Sequence, residues 1–233
     1  MVIAVLLAAT GPASAQLQKN KQYSVQALIG KSTKAQLWLI QTDDIIVGEI
    51  EYSKGKKPIA LRGTEEDGQF RILEFSPDGT ITGIITGKLE KNQFTGEWFS
   101  PKSRKSLAIG FRLQQPTNVK RASLLKPSYA GGTYTYSYGK DAHQGYLNVK
   151  RISADSATIE VSNLTAAPAY NQATIEPSTV SVTKNQIIYK VQEGCTIRVR
   201  FYSDFAVIDY VNKESDCLFG MNATVDGIYW KKK

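Results

Sequence analysis

Histidine and cysteine are scarce in this sequence. Its 233 residues include one histidine, His143, and two cysteines, Cys195 and Cys217. A zinc site needs three or four cysteine, histidine or carboxylate ligands in close array, and this chain is short of them. The sequence therefore predicts no metal site.

Two sequence signatures of catalysis are also missing. The chain contains no G-x-S-x-G nucleophile elbow and no G-x-x-x-x-G-K-[ST] phosphate loop. His143 follows Asp141 by two residues in a turn, and we interpret it as an exposed turn histidine rather than part of a catalytic triad. The sequence predicts no cofactor and leans away from an enzyme.

Helical periodicity is nowhere sustained after the N-terminal residues. Short runs alternate between apolar and polar side chains, as half-buried antiparallel strands do. Turn-forming pairs such as Asp67-Gly68 and Asp78-Gly79 separate these runs. The predicted fold class is all-β, with two small antiparallel, meander or barrel-like (lipocalin-like) modules, because closure of a meander removes exposed strand edges.

The predicted strands fall in two groups. In the first module, which has room for seven or eight strands, we name those at residues 23–29, 35–41, 45–52, 69–75, 80–89, 93–99 and 107–113. In the second module they cover residues 132–136, 145–151, 157–163, 179–183, 186–191, 196–202, 205–211 and 227–230. Residues 164–177 are predicted to be an irregular loop.

The predicted domain organisation has four parts. Residues 1–15 are a signal peptide, 16–113 the first β module, 114–131 a linker with one short helical turn at 122–125, and 132–233 the second β module. The first 15 residues are uncharged and apolar, then small, and end at the A-x-A site Ala13-Ser14-Ala15. An apolar N-terminal strand is the alternative. Because this run is shorter than the roughly 20 residues of a spanning helix, we expect export to the periplasm or medium without stable membrane insertion.

Both cysteines lie in the second module, around strands that alternate with period two. Since an oxidising compartment lets thiols pair, export predicts a disulfide between Cys195 and Cys217. Two buried free thiols, or half of a metal site, are the alternatives.

Positive charge is in excess but evenly divided along the chain. The formal net charge is +8 at pH 7. The longest basic clusters, Lys54-Gly-Lys56-Lys57 and the terminal Lys231-Lys232-Lys233, fall in a turn and at a chain end. We interpret them as solvated surface, and we expect no nucleic acid partner for an exported protein.

Two carboxylates interrupt apolar strands and are candidates for acid–base chemistry. Glu74 shares a strand face with Phe70 and Ile72, whereas Glu97 is expected to face outward with Thr95. Glycoside hydrolysis needs two carboxyl groups that face each other across a sugar. The alternative is structural: a buried ion pair with Arg62 or Arg71, plus one solvent-facing residue.

Four tyrosines cluster around one predicted hairpin. Tyr134, Tyr136 and Tyr138 share a strand face, and Tyr146 follows on the next strand. Tyrosine presents a rigid amphipathic surface that suits sugars and protein partners. These residues are the candidate binding site, unless their face lines the barrel core.

Two sets of motifs resemble known bacterial proteins. The first half is similar to a module of uncharacterised exported bacterial proteins, at residues 48–52, 58–63, 73–74, 79–87 and 94–98. The tail resembles the C…C-x-F-G…G-x-Y ending of bacterial envelope proteins, sometimes found beside lysozyme-inhibitor-type modules, on Cys195, Cys217, Phe219, Gly220, Gly227 and Tyr229. The resemblance implies fold and compartment.

These observations predict a non-catalytic binding or inhibitory protein of the cell envelope, with an envelope protein or glycan as partner. One alternative is a hydrolase of envelope polysaccharide or peptidoglycan with Glu74 as acid or base. A second alternative is a structural protein that adheres to an anionic envelope polymer.

Overall fold

The computed structural model describes residues 17–55, 57–117, 126–212 and 217–232. The predicted signal peptide and the predicted helical turn at 122–125 lie outside these residues. The described chain forms two eight-stranded antiparallel sheets, so the predicted all-β class with two barrel-like modules is confirmed. No helix in the described ranges has the length and hydropathy needed to cross a membrane.

The first eight strands form a closed barrel. They are β1 (Gln22–Ile29), β2 (Thr33–Thr42), β3 (Ile45–Tyr52), β4 (Ile59–Glu66), β5 (Gln69–Phe75), β6 (Ile81–Glu90), β7 (Gln93–Ser100) and β8 (Lys105–Arg112). Each strand pairs with the next in chain order, and β1 pairs with β8 to close the barrel. This is the up-and-down meander that the hairpin signals predict.

The second eight strands have the same circular order with one open seam. They are β9 (Gly132–Ser137), β10 (Gln144–Arg151), β11 (Ser156–Leu164), β12 (Gln172–Ser181), β13 (Gln186–Gln192), β14 (Cys195–Phe201), β15 (Phe205–Tyr210) and β16 (Gly227–Lys231). The first and last strands, β9 and β16, pair, while β12 and β13 end the sheet. The Tyr189 hydroxyl donates to Ser178 Oγ at 3.0 Å across this seam.

Two strand predictions need correction. Strand β4 is not among the named strands of the first module, because Gly63 and Glu65 follow Leu61 on its inward face and interrupt the apolar alternation. Residues 164–177 are not an irregular loop, because β12 begins at Gln172. Ala173 and Ile175 point into the second barrel, and Pro177 is tolerated because β12 is an edge strand that needs fewer backbone donors.

Apolar side chains fill the interior of each barrel. The first interior contains Val25, Leu37, Ile50, Ile72 and Phe94 among other buried residues. The second is built around side chains of β9–β11, β13–β16 and the edge strand β12. Each barrel therefore has its own hydrophobic core.

A third buried cluster joins the two barrels wall to wall. The first barrel contributes Ile40, Ile45, Val47, Leu73, Phe75 and Ile81, and the second contributes Tyr202, Phe205, Val207, Ile228 and Trp230. The rings of Phe75 and Trp230 stack with centroids 5.6 Å apart. The outward faces of these strands are thus a core between modules rather than solvated surface.

Two arginines cross this interface. The guanidinium of Arg62 lies 5.3 Å from the ring centroids of both Phe205 and Trp230 and forms an ion pair with Asp204. Arg200 of the second barrel forms two hydrogen bonds to Asp44 of the first, at 2.5 and 2.7 Å. These pairs fix the orientation of one wall on the other.

Candidate functional site

The tyrosine stripe of β9 runs from the second barrel's core to the space between the barrels. Tyr134 is fully buried, and its hydroxyl donates to the carbonyl of Ala130 at 2.8 Å. Tyr136 packs edge-to-face against the buried ring of Tyr229, with centroids 5.1 Å apart. Tyr138, one position past the strand, packs against Tyr136 in the same way. The alternation that places these rings on one face is confirmed, and only its outer end is accessible.

A cavity of about 410 Å³ lies where this stripe meets the first barrel. We call it the inter-barrel cleft. Arg71 and Leu73 from β5 form one wall. The other wall comes from the second barrel: Tyr136, Tyr138, His143, Thr224, Asp226, Gly227 and Ile228.

The cleft combines aromatic rings with groups of both charges. Arg71 donates to the Tyr138 hydroxyl at 2.7 Å, which links the first barrel to the tip of the stripe. His143 packs edge-to-face on the other side of Tyr138, with centroids 6.2 Å apart. Asp226 accepts a hydrogen bond from Thr224, whose hydroxyl also contacts the Tyr210 hydroxyl. Rings for apolar contact therefore lie beside an arginine, a histidine and a carboxylate.

The pKa of Tyr136 responds to burial and to its charged neighbours in the cleft. Burial raises the pKa of Tyr136, and the neighbouring Tyr138 and the charge of Asp226 raise it further, while Arg71 acts in the opposite direction. Tyr136 therefore stays protonated and able to donate a hydrogen bond near neutral pH. The cleft therefore contains a neutral phenol together with a cation, Arg71, and an anion, Asp226.

A second cavity of about 470 Å³ lies on the other side of the same hairpin. Tyr146 belongs to it, together with Asp78, Gln144, Ser162 and Lys232, and Tyr136 borders both cavities. Tyr134 lines neither. The four candidate tyrosines thus separate into one core residue, two cleft residues and one residue of the second cavity.

Glu74 lies inside the first barrel, on the face predicted from Phe70 and Ile72. Its side chain is 1% exposed. It accepts hydrogen bonds from the Tyr52 hydroxyl at 2.5 Å and from the Trp98 indole at 2.8 Å, both on Oε1. A longer contact of 3.4 Å joins Thr82 to Oε2.

Burial raises the pKa of Glu74 because it penalises the charged form, while the bonds from Tyr52, Trp98 and Thr82 lower it. Burial and the adjacent carboxyl also raise the pKa of Tyr52. Glu74 is therefore a buried carboxyl group surrounded by hydrogen-bond donors inside a barrel that side chains fill.

The structural interpretation of Glu74 as an ion-pair partner of Arg62 or Arg71 is wrong. Both arginines point outward: Arg62 bonds to Asp204, and Arg71 bonds to Tyr138. Successive strand residues face opposite sides, so side chains next to inward Leu61 and Ile72 cannot reach an inward carboxyl. Glu97 is exposed, as expected, and accepts from Ser106 at 3.0 Å.

The predicted disulfide between Cys195 and Cys217 is present, with Cα atoms 4.9 Å apart. Among the described residues, no group of three or more His, Cys, Asp or Glu side chains could hold a metal ion. The disulfide joins the start of β14 to the loop before β16, and such bonds are typical of proteins outside the cytoplasm.

Arg71, His143 and Asp226 are cleft residues that the sequence did not identify as a group. They come from β5, the β9–β10 turn and the loop before β16, so nothing in their local spacing connects them. Pairing of β9 with β16 and docking of the barrels bring them together.

Fold and site define a class: an all-β protein of two fused up-and-down barrels with a tyrosine-lined cleft between them. The chain matches no known protein-family model and no curated protein sequence.

Proposed function

We propose that this is a non-catalytic, exported binding protein of the bacterial cell envelope, and that the inter-barrel cleft holds a glycan segment. One observation carries the proposal: Tyr136, Tyr138, His143, Arg71 and Asp226 line a single cavity. Aromatic faces pack on the apolar faces of sugar rings, while planar charged groups hydrogen-bond to hydroxyls.

The shape of the site supports a ligand longer than one sugar. The cleft and the cavity around Tyr146 both border Tyr136, so an extended chain passing that residue would contact both. Hydroxyl and amide groups of Ser162 and Gln144 in the second cavity suit the hydroxyl groups of a sugar chain.

Charge favours a glycan over a lysozyme-type enzyme as the ligand. A protein of net charge +8 repels a strongly basic partner, and an inhibitor of basic lysozymes is expected to be acidic. Export is supported by the disulfide, the A-x-A site and the resemblance of the tail to envelope proteins.

The geometry favours binding over hydrolysis. Glu74 is sealed in a filled barrel, and Glu97 lies on the outside of the same barrel. A sugar held in the cleft would therefore not lie between these two carboxyl groups.

Calorimetric titration with soluble peptidoglycan fragments of a few sugars tests the proposal. Replacing Tyr138 with alanine removes a stacking surface and the acceptor of the Arg71 bond, so affinity should fall about tenfold or more. Tyr170→Ala is the matched control, because Tyr170 is exposed and lines neither cavity. Equal affinity of the two variants, or no binding by the wild type to fragments or whole sacculi, would refute a glycan site in the cleft.

A further inference from the structure

The up-and-down order of the first barrel collects its odd-numbered connections at one end. Consecutive hairpins reverse direction, so the connections after β1, β3, β5 and β7 share an end. With the adjoining strand residues they comprise residues 30–34, 53–58, 76–80 and 101–105. We call this the basic end.

Seven exposed cations lie there, against one described loop carboxylate, Asp78. They are Lys31, Lys34, Lys54, Lys57, Lys102, Arg104 and Lys105. Lys56 belongs to the same connection but lies outside the described residues. Glu51 and Glu97 are the exposed acidic residues on the strand ends nearby.

The opposite end of the same barrel carries charges of both signs. Its connections and adjoining strand ends contain the carboxylates Asp43, Asp44, Glu65, Glu66, Asp67 and Glu90, together with the cations Lys88, Lys91 and Arg112. Because seven cations gather with few carboxylates at the first end alone, the even balance along the sequence hides a basic surface in space.

The basic side chains are not neutralised within the described protein. None of the seven forms an ion pair with another described residue; the ion pairs involve Lys19, Arg62, Lys190, Arg198 and Arg200. Like charges this close repel one another, so a counter-charged surface would relieve the repulsion.

The cations lie in or beside three of the four connections, and none is on the connection that contacts the second barrel. The fourth, around Gly79, is held against it, because the Gly79 carbonyl accepts from the Ser137 backbone N–H at 3.2 Å. The three basic connections contribute no residue to the buried cluster between the barrels. They therefore form an accessible surface at the tip of the molecule.

Apolar side chains lie among these cations. Leu28 is 45% exposed and pairs across β1 and β2 with Lys34, and Leu107 is 39% exposed and follows Lys105 by two residues. Lysine around exposed leucine is the composition that binds the headgroup region of an anionic bilayer. Several loops at one barrel end can contact a flat surface at the same time, whereas a single polymer strand would contact fewer of them.

We infer that the basic end docks the protein peripherally on an anionic phospholipid bilayer, with the lysines on lipid phosphates and the leucines at the headgroup boundary. The seven cations and the two leucines line neither the inter-barrel cleft nor the second cavity. A docked molecule would keep the cleft accessible along the barrel wall.

Vesicle co-sedimentation with the full chain tests this inference. Wild type should bind vesicles containing phosphatidylglycerol and leave pure phosphatidylcholine vesicles, and binding should weaken as salt is raised. Each basic residue near an anionic surface contributes roughly fivefold in partitioning, so reversing Lys54 and Lys57 to glutamate should lower it at least about 30-fold. Lys21→Glu with Lys88→Glu changes the net charge equally, away from the basic end, and should bind nearly as well as wild type.

Three results would overturn the inference. An equal loss of vesicle binding in both double variants would show that the net charge of the protein, rather than the basic end, determines binding. Salt-independent binding would exclude phosphate contacts. Binding to soluble anionic polysaccharide without binding to vesicles would assign the surface to a polymer.

Discussion

Two strand glycines allow large side chains to cross the barrel interiors. A Cβ on Gly83 would collide with the carboxyl group of Glu74 and the indole of Trp98, and one on Gly145 would collide with the ring of Tyr136. Glycine inside a strand often marks such a close approach. The sealed carboxyl and the cleft tyrosine both depend on a missing side chain on a neighbouring strand.

Glu74→Gln is expected to make stability less dependent on pH. Because burial raises the pKa of Glu74 in the folded chain, the stability contributed by its neutral form is present below the unfolded pKa of about 4.3. That contribution is lost as pH rises through the folded pKa. Glutamine stays neutral and keeps an oxygen for Tyr52 and Trp98.

Urea unfolding across pH measures this difference. The variant and wild type should unfold at similar urea concentrations near pH 3, and the variant should become progressively more stable at higher pH. Glu97→Gln, at an exposed position, is the control and should follow the wild type. A variant that is less stable than wild type at pH 8 would contradict the sealed-carboxyl account.

At the scale of elements, the second barrel is closed less completely than the first. Strands β4 and β5 pair through seven residue positions, whereas their counterparts β12 and β13 are not paired in the sheet. The disulfide holds the start of β14 to the loop before β16, in the half of the barrel that follows the seam. The disulfide therefore adds a covalent link to the barrel that lacks strand pairing between β12 and β13.

Reduction of the disulfide should lower the free energy of unfolding of the protein by about 3 kcal/mol. This follows from the chain entropy of a cross-link between residues 22 apart in sequence. Guanidinium unfolding with and without reductant measures the change, with the Cys195→Ala/Cys217→Ala variant as the control that should not respond to reductant. An unchanged guanidinium midpoint of the wild type after reduction would mean that the disulfide does not stabilise the second barrel.

At the scale of the whole molecule, the two barrels share a buried cluster that includes charged groups. Arg62 is 2% exposed between two rings, and its ion pair with Asp204 crosses from one barrel to the other. Removing one partner of such a pair would leave an uncompensated buried charge. Separation of the barrels would expose apolar surface and disrupt the Arg62 and Arg200 pairs together.

The barrels are therefore expected to unfold in one calorimetric transition. Phe205→Ala removes a fully buried ring that stacks on Tyr202 and faces Arg62, and should cost about 3–5 kcal/mol while separating the transitions of the two barrels. Leu28→Ala, at an exposed position, is the control and should keep one transition. Two transitions in the wild type would contradict strong coupling.

Local patterns in the sequence were sufficient for the fold class and for most strands. Period-two alternation and Gly, Asn and Asp turns depend on residues close in the chain, so the meander and the inward face of Glu74 could be predicted. Strand β4 was not predicted because Gly63 and Glu65 interrupt its apolar inward face, while Arg62 on its outward face is buried against the other module. Alternation alone does not distinguish a second core from solvent.

The sequence by itself determined the β architecture, the pairing of its two cysteines and the shared face of Tyr134, Tyr136 and Tyr138. Only the tertiary structure decided that this face leads into a cleft with Arg71 and Asp226, and that scattered lysines meet at one barrel end. The reason is physical: alternation records which side of a strand a residue occupies, whereas docking and hairpin reversal bring together residues that are far apart in the chain.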